Sequence, residues 1–517
     1  MAVTTLPAAS TGHLGRRLAI VCLIGTGLLG YGLFMSFWRL DVPAWHIDEL
    51  VYARAGNLYW HGQFRYNAEH PPFGKEIIGA SEQIFGQTLW AARLPSALAL
   101  LAGGIVLGIW LGRAATPAAG LIAAALWWSL PSLTAFPEAS GSAAPPAPGL
   151  PMRLALLDPL AGFIVLVALA VGWWWIRSGR PVAAAACGLT SGLAVATKLP
   201  AALIVVVPAL AGCLAVLRGG RPVLRRLLRT AGHGTLWTLA AAAAGALTYA
   251  PMGYHQAREV LLSGWRFQRD HGAVGHLVVV MHKVYHHPPW WTLGWWQYVA
   301  WGLAAVLIAV AVIFAALVLR STLVGYLTAA ALLPMAVLVP LSGLALPHYI
   351  LVWRAPLIAA IAVAITVVTG WVRTHTRPLA AGAAALLVLA PFVAVGDRTV
   401  TATLRLHPEG YAALAAFVPP GRGDIWYRGF SSIMAVYLPG RHFVSGTRTP
   451  TPGRPQPAAI VLDRAVTQRI GDGGLAAWAE AHGYRRVQTS ILDIWTHPPP
   501  QQTGAQLTAL SAGPHRA

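Results

Sequence analysis

The 517-residue chain is 56% hydrophobic and only 10% charged, and a mean hydropathy of +0.58 excludes a string of ordinary soluble domains, making lipid its main solvent. A formal charge of +20 points to no nucleic acid, because the Lys and Arg residues are scattered between apolar runs and build no continuous basic, aromatic-laced face. Cys22, Cys187 and Cys213 lie inside apolar runs without metal-ligand spacing and read as small core residues.

Arg16 and Arg17 precede an apolar run from Leu18 to about Trp38, longer than the core of a signal peptide and without a small-residue cleavage site, so it reads as a retained first span. Ten further runs of roughly helix length follow at 92–112, 117–135, 157–176, 181–197, 200–217, 232–251, 295–319, 323–342, 349–372 and 378–396. The pattern predicts an all-α polytopic membrane protein with about eleven transmembrane helices. The run 181–197 is short and built largely of Ala and Gly, and losing it would invert everything downstream. With the N-terminus in the cytoplasm, the inner loops hold Arg113, Arg177, Arg180, the arginines from Arg218 to Arg229, Arg320, Arg373 and Arg377, and no acidic residue. Carboxylate chemistry therefore belongs to the outer face of a plasma membrane.

Three outer segments are long: 39–91, 136–156 and 252–294. The first contains amphipathic strings, LVYARAGNLYW and EIIGASEQIF, expected as short interfacial helices. The second is rich in Pro and small residues and reads as a flexible loop. The third carries GWRFQRDHGAVGH and HHPPWWTLGWW, with Trp290, Trp291, Trp295 and Trp296 as an aromatic belt. These loops are expected to share one cavity. Residues 397–497 alternate strand-like AAIVLDR and ILDIWTH with helical EGYAALAAFV and GGLAAWAEAHGY, predicting a small extracytoplasmic α/β domain. The tail 498–517, rich in Pro, Gln, Ala and Gly, reads as disordered. Residues 1–396 form the membrane module.

Chemistry concentrates in the first outer segment. Asp48 and Glu49 follow the first span beside Trp45 and Tyr52, either as solvated charges at the interface or with Asp48 as a general base for an acceptor hydroxyl. Pro71 and Pro72 fix the backbone between His70 and Lys75, which holds both side chains in defined directions. Arg93, in RLPSA, is an interfacial anchor or a clamp for an anionic headgroup. Asp158, with Arg153 just before it, either caps a helix whose first residue is Pro159 or serves the site. Lys198 is either a topological anchor or, because on the outer face it runs against the inside bias for cations, a ligand for a phosphate. His271, His276, His282, His286, His287 and His348 leave a divalent metal open, but no acidic partner stands at motif spacing, and no metal ligand is assigned.

In this order the strings IDELVYA, HPPFGKEIIG, RLPSA and RLALLDP resemble the motifs of the GT-C superfamily of polyprenyl-phosphate-dependent glycosyltransferases, most closely its protein O-mannosyltransferase branch, over roughly the first 300 residues. GLAVATKLP and HHPPWWTLGWW are similar more loosely. The resemblance implies Asp48 as catalytic base with Glu49 in support, and Asp158 shaping the acceptor or donor side. It implies His70, Arg93 and Lys198 as candidates for the donor phosphate, and the cations Lys75 and Arg153 join them as candidates by their position in the chain. The implied reaction is inverting transfer of mannose or a related sugar from a polyprenyl-phosphate donor to a protein Ser or Thr or to an envelope glycolipid. The chain has no insertion matching the β-trefoil of eukaryotic mannosyltransferases, and its compact tail is similar to bacterial aminoarabinose transferases. A lipid-linked sugar transporter and a non-catalytic accessory subunit are the rival readings. A transporter should place ionisable residues near the bilayer midplane.

Overall fold

The structure is a computed structural model, and it describes residues 11–42, 47–129, 150–220, 222–274, 278–280, 283–285, 287, 309–341 and 350–375, isolated positions between 382 and 404, and most of 410–497. Two compact units divide the chain. The first comprises Met1–Asp41, Val51–Phe136 and Pro146–Leu406; the second comprises Val42–Leu50, Pro137–Pro145 and His407–Ala517.

The helical elements of the chain run in order α1 (Thr11–Phe37), α2 (Ile47–Trp60), α3 (Phe73–Phe85), α4 (Leu89–Ala114), α5 (Pro117–Ser129), a 3-10 turn (Leu150–Arg153), α6 (Leu157–Ser178), α7 (Pro181–Thr197), α8 (Ala201–Leu217), α9 (Val223–Tyr249) and α10 (Gly253–Val274). An antiparallel hairpin of β1 (Val278–Val280) and β2 (Lys283–Tyr285) follows, then α11 (Ala309–Val318), α12 (Thr322–Leu341) and α13 (Ile350–His375). Among the described residues, four stretches are long and apolar enough to cross a membrane: Ala19–Phe37, α4, α6 and Leu351–His375. Shorter apolar helices are α5, α7, α8, α11 and Thr322–Val337. A chain with several such helices is a multi-pass membrane protein. Length and hydropathy thus mark fewer complete crossings than the eleven expected, although helix stands at every predicted run up to 349–372. The run 181–197 is helix α7 with those same bounds. Most of the predicted span 378–396 lies outside the described residues, and residues 136–149 of the predicted loop 136–156, the Trp290–Trp296 belt and the tail 498–517 lie entirely outside them.

Small residues let these helices approach closely. On α7, Gly188 and Gly192 are four apart and lie against the carbonyls of Trp237 and Ala241 on α9, leaving no room for a Cβ. Gly103 and Gly104 of α4 receive the indoles of Trp127 and Trp128, and both ring N–H groups donate to the Leu100 carbonyl at 2.8 and 3.1 Å. Pro95 inside α4 has no N–H to offer the Ala91 carbonyl. Ser81 of α3 supplies the missing donor at 2.6 Å, which ties α3 to α4. Helix starts are capped where the sequence offers an oxygen: Thr88 accepts from Ala91 and Thr116 from Ala119, each at 3.1 Å.

The two amphipathic strings of the first outer segment are helices α2 and α3, and the third segment, expected as a loop, contains the helix α10. Tyr59, Phe64, Met252 and Val260 pack together, so the first and third loops share a small apolar core.

The second unit holds a five-stranded mixed sheet in the order β4-β3-β5-β7-β6, made of β3 (Ile425–Arg428), β4 (Phe443–Ser445), β5 (Ala459–Asp463), β6 (Arg485–Gln488) and β7 (Leu492–Thr496). β4, β3 and β5 are parallel, whereas β7 is antiparallel to β5 and β6. Alternate residues of β5 feed opposite cores. Ala459 and Val461 meet Leu414, Ile433 and Met434, while Ile460 and Leu462 meet Leu475, Ala479 and Trp495. The predicted α/β tail is therefore a sheet covered on both faces.

Candidate functional site

The candidate residues of the first unit gather where helices begin and end, at one end of the bundle. Asp158 is the second residue of α6 and Lys198 follows the last residue of α7. Lys198 Nζ donates to Asp158 Oδ2 at 2.7 Å, with the two side chains 5% and 2% exposed. The capping role open to Asp158 is overturned: α6 starts at Leu157, two residues before Pro159, and its cap is Leu156, which has no side-chain acceptor. Asp158 Oδ1 is buried and has no hydrogen-bond partner among the described residues.

The His70–Lys75 turn sits directly beside this pair. A Cβ on Gly74 would stand 2.8 Å from the Leu157 side chain and 3.0 Å from that of Thr197, the immediate neighbours of Asp158 and Lys198. Lys75 turns inward. Its ammonium donates to the Tyr59 hydroxyl at 2.8 Å, the Asn67 carbonyl at 2.6 Å and the His70 carbonyl at 2.8 Å. An ammonium has three N–H donors, so Lys75 as seen here organises the loop around His70 and has no donor left for a phosphate. Burial lowers its pKa to about 7, with Glu69 and Glu76 opposing that shift. Burial likewise raises the carboxyls of Glu76 and Glu82 to about 7. The His70 ring is half-buried, edge-on to Tyr52 at 5.7 Å and Phe267 at 5.9 Å, so the third loop reaches it through α10.

Arg93 and Arg153 form a second buried group, at the carboxyl end of α1. Arg93 donates to the Leu40 carbonyl at 2.9 Å, and Arg153 donates to those of Met35 and Trp38 at 3.2 and 2.8 Å. Carbonyls at a helix end lack intrahelical donors and carry partial negative charge, which makes this a natural seat for two cations. Burial and then the neighbouring Arg93 charge lower Arg153 to about 10, so it stays protonated at neutral pH.

Asp48 and Glu49 stand in the first turn of α2 and belong to the second unit, Glu49 fully buried and Asp48 half-buried. Carboxylates in that position favour the positive end of the helix. The structure thus brings together His70 with Lys75, Asp158 with Lys198, and Arg93 with Arg153.

A further buried charge stands in a run that its apolar neighbours dominate. Arg354, one turn into α13, is buried, donates to the Trp127 carbonyl and lies 4.9 Å from the Trp127 ring centroid. The signal was available: an arginine in an otherwise apolar run is a functional flag by itself. Among the described residues no three His, Cys, Asp or Glu side chains converge as a metal site. His276, His282, His286 and His348 lie outside those residues.

No family profile matches the chain, and no curated protein matches it. Solved structures do. ArnT from Cupriavidus metallidurans in the apo state aligns over 95% of this chain and 100% of its own, with TM-score 0.53 and 16% identity. The apo oligosaccharyltransferase of Archaeoglobus fulgidus aligns over 93% of this chain and 75% of its own, with TM-score 0.50 and 11% identity.

Proposed function

We propose, from the GT-C fold that this chain shares with ArnT and the archaeal oligosaccharyltransferase, that it is a membrane glycosyltransferase taking its sugar from a polyprenyl-phosphate donor. The observation that carries the reading is the set of buried charges at one end of the bundle, Arg93, Arg153, Asp158 and Lys198. A donor held in the bilayer by its lipid must be attacked at headgroup depth, and helix mouths are where that depth is reached. Charges gathered there, with no acid in the predicted inner loops, favour an enzyme over a carrier, which needs its ionisable groups near the midplane.

In this reading the acceptor hydroxyl oxygen attacks the anomeric carbon as the bond from that carbon to the donor phosphate oxygen breaks. The configuration inverts, and the polyprenyl phosphate leaves with the electron pair. Asp48 takes the hydroxyl proton, with Glu49 beside it in the same helical turn. The developing charge on the leaving phosphate is met by Arg93, Arg153, Lys198 and the turn carrying His70. Arg153 donates from Nη1 to both the Met35 and the Trp38 carbonyl, and a guanidinium has five N–H donors, so it retains capacity for a phosphate oxygen. Asp158 holds Lys198 in place through their 2.7 Å ion pair. The sugar is mannose or a relative and the acceptor a protein Ser or Thr or an envelope glycolipid, on the outer face, with the N-terminus cytoplasmic and the α/β unit outside.

The test is transfer of radiolabel from a polyprenyl-phosphate sugar by purified protein. Asp48→Asn should lose about 10²–10⁴-fold in rate, the range for general-base catalysis, at unchanged protein level. Full activity in that variant would end the assignment.

A further inference from the structure

We infer that the end of the bundle opposite the Asp158–Lys198 pair holds a site for an anionic phospholipid, its phosphate between Arg113, Arg177 and Arg320 and its acyl chains along the adjoining apolar wall. These arginines line one cavity of about 900 Å³ among α4, α6, α12 and α13, within the range of small-molecule sites. No acidic residue lines it. None of the three guanidinium groups makes a hydrogen bond or ion pair with another described residue. Trp110, Trp173 and Trp174 stand beside them, and Val106, Ile109, Val363 and Val367 continue the wall along the helices. Cations and indoles above an aliphatic surface suit a molecule with a phosphate head and hydrocarbon chains.

The plain alternative is that these arginines only anchor helix ends. Arg113 and Arg177 are in the last turns of α4 and α6, where a cation complements the helix carboxyl end. That account leaves the backbone of Arg320 unexplained. It follows α11 at φ +50°, a left-handed conformation that costs an ordinary side chain and that glycine adopts freely. Gly179 ends α6 in the same conformation at φ +57°. Keeping an arginine where glycine would relieve the backbone indicates that its side chain has work to do, and the side chain lines this cavity. The inference is independent of the transfer reaction.

The experiment is thermal unfolding of the full chain in detergent with added phosphatidylglycerol, phosphatidylcholine or inorganic phosphate. Phosphatidylglycerol should raise the midpoint, and Arg113→Gln/Arg177→Gln/Arg320→Gln should lose most of that rise. Arg218→Gln/Arg225→Gln, which changes cations near the same end but outside the cavity, should keep it. An equal rise with phosphatidylcholine, or an equal loss in this control pair, overturns the site in favour of general lipid or surface-charge effects. An equal rise with inorganic phosphate replaces the lipid by a soluble anion. Should the triple variant fail to fold, Arg320→Gly decides: it removes one cation while easing the backbone, so it should fold and show a smaller lipid-dependent rise, and an unchanged rise refutes the proposal.

Discussion

Replacing Lys198 by Met tests whether the Asp158–Lys198 pair is a sealed ion pair or a solvated one. The two groups meet at 2.7 Å with almost no exposure, so removing one partner strands the other charge in a poorly polarisable surrounding. Breaking such a pair costs about 3–5 kcal/mol, which at about 1.4 kcal/mol per decade is two to more than three decades of folding equilibrium. Replacing both groups by apolar ones of similar size removes the pairing energy and the desolvation penalty together. Asp158→Leu/Lys198→Met should therefore return to within about 1 kcal/mol of the native protein or exceed it. Denaturant unfolding of the detergent-purified protein, followed by tryptophan fluorescence, gives the four corners of the cycle. Single-variant losses below about 1 kcal/mol, or a double variant as unstable as the two singles summed, would refute the sealed pair. Transfer activity adds a second axis, because the double variant should regain stability without regaining transfer. Recovered transfer would remove the pair from the site.

Glu82 offers a pH test. Burial raises its carboxyl to about 7 and Oε2 has no hydrogen-bond partner among the described residues, so the fold favours the protonated form. The stability this group contributes is fully present below about pH 4.5 and is lost as pH rises through about 7. Glu82→Gln should raise stability at pH 8 by roughly 1–3 kcal/mol and leave it nearly unchanged at pH 4, as read by paired unfolding curves; an equal gain at both would refute the burial argument. Gly192→Leu forces a side chain against the Ala241 carbonyl, and the α7–α9 contact should lose about 2 kcal/mol or more, seen as a lower thermal midpoint. Lys75→Met deletes the three donors that hold Tyr59, Asn67 and His70. Amide exchange across residues 61–72 should accelerate in that variant while α6 and α7 keep their protection, and an unaltered loop would show that the lysine is not its organiser.

The apolar runs were legible because a chain in lipid must pair its backbone groups internally, and only a helix does so within one segment. β5 and β7 are buried along their whole length; AIVLD is legible as an apolar run closed by Asp463, and LDIWT by its β-forming Ile494, Trp495 and Thr496 although Asp493 interrupts it. β6, written RRVQ and largely exposed, has no such signal, and α10 hid behind its charges. Side-chain direction was the larger loss. The Pro71–Pro72 turn placed Lys75 correctly in the chain, but whether it faced a substrate or the interior depended on Tyr59 and two carbonyls that no local pattern announces. The Asp-Pro pair at 158 suggested a cap, and the decision between cap and ion pair rested on Lys198, 40 residues away. Arg354 is masked in the hydropathy pattern by its apolar neighbours, and its indole partner, Trp127, stands on α5, far away in sequence. A membrane sequence thus locates charge at helix mouths, because the cost of placing it elsewhere is high; the partner that gives each charge its role comes from another helix, and becomes known only when the helices are packed.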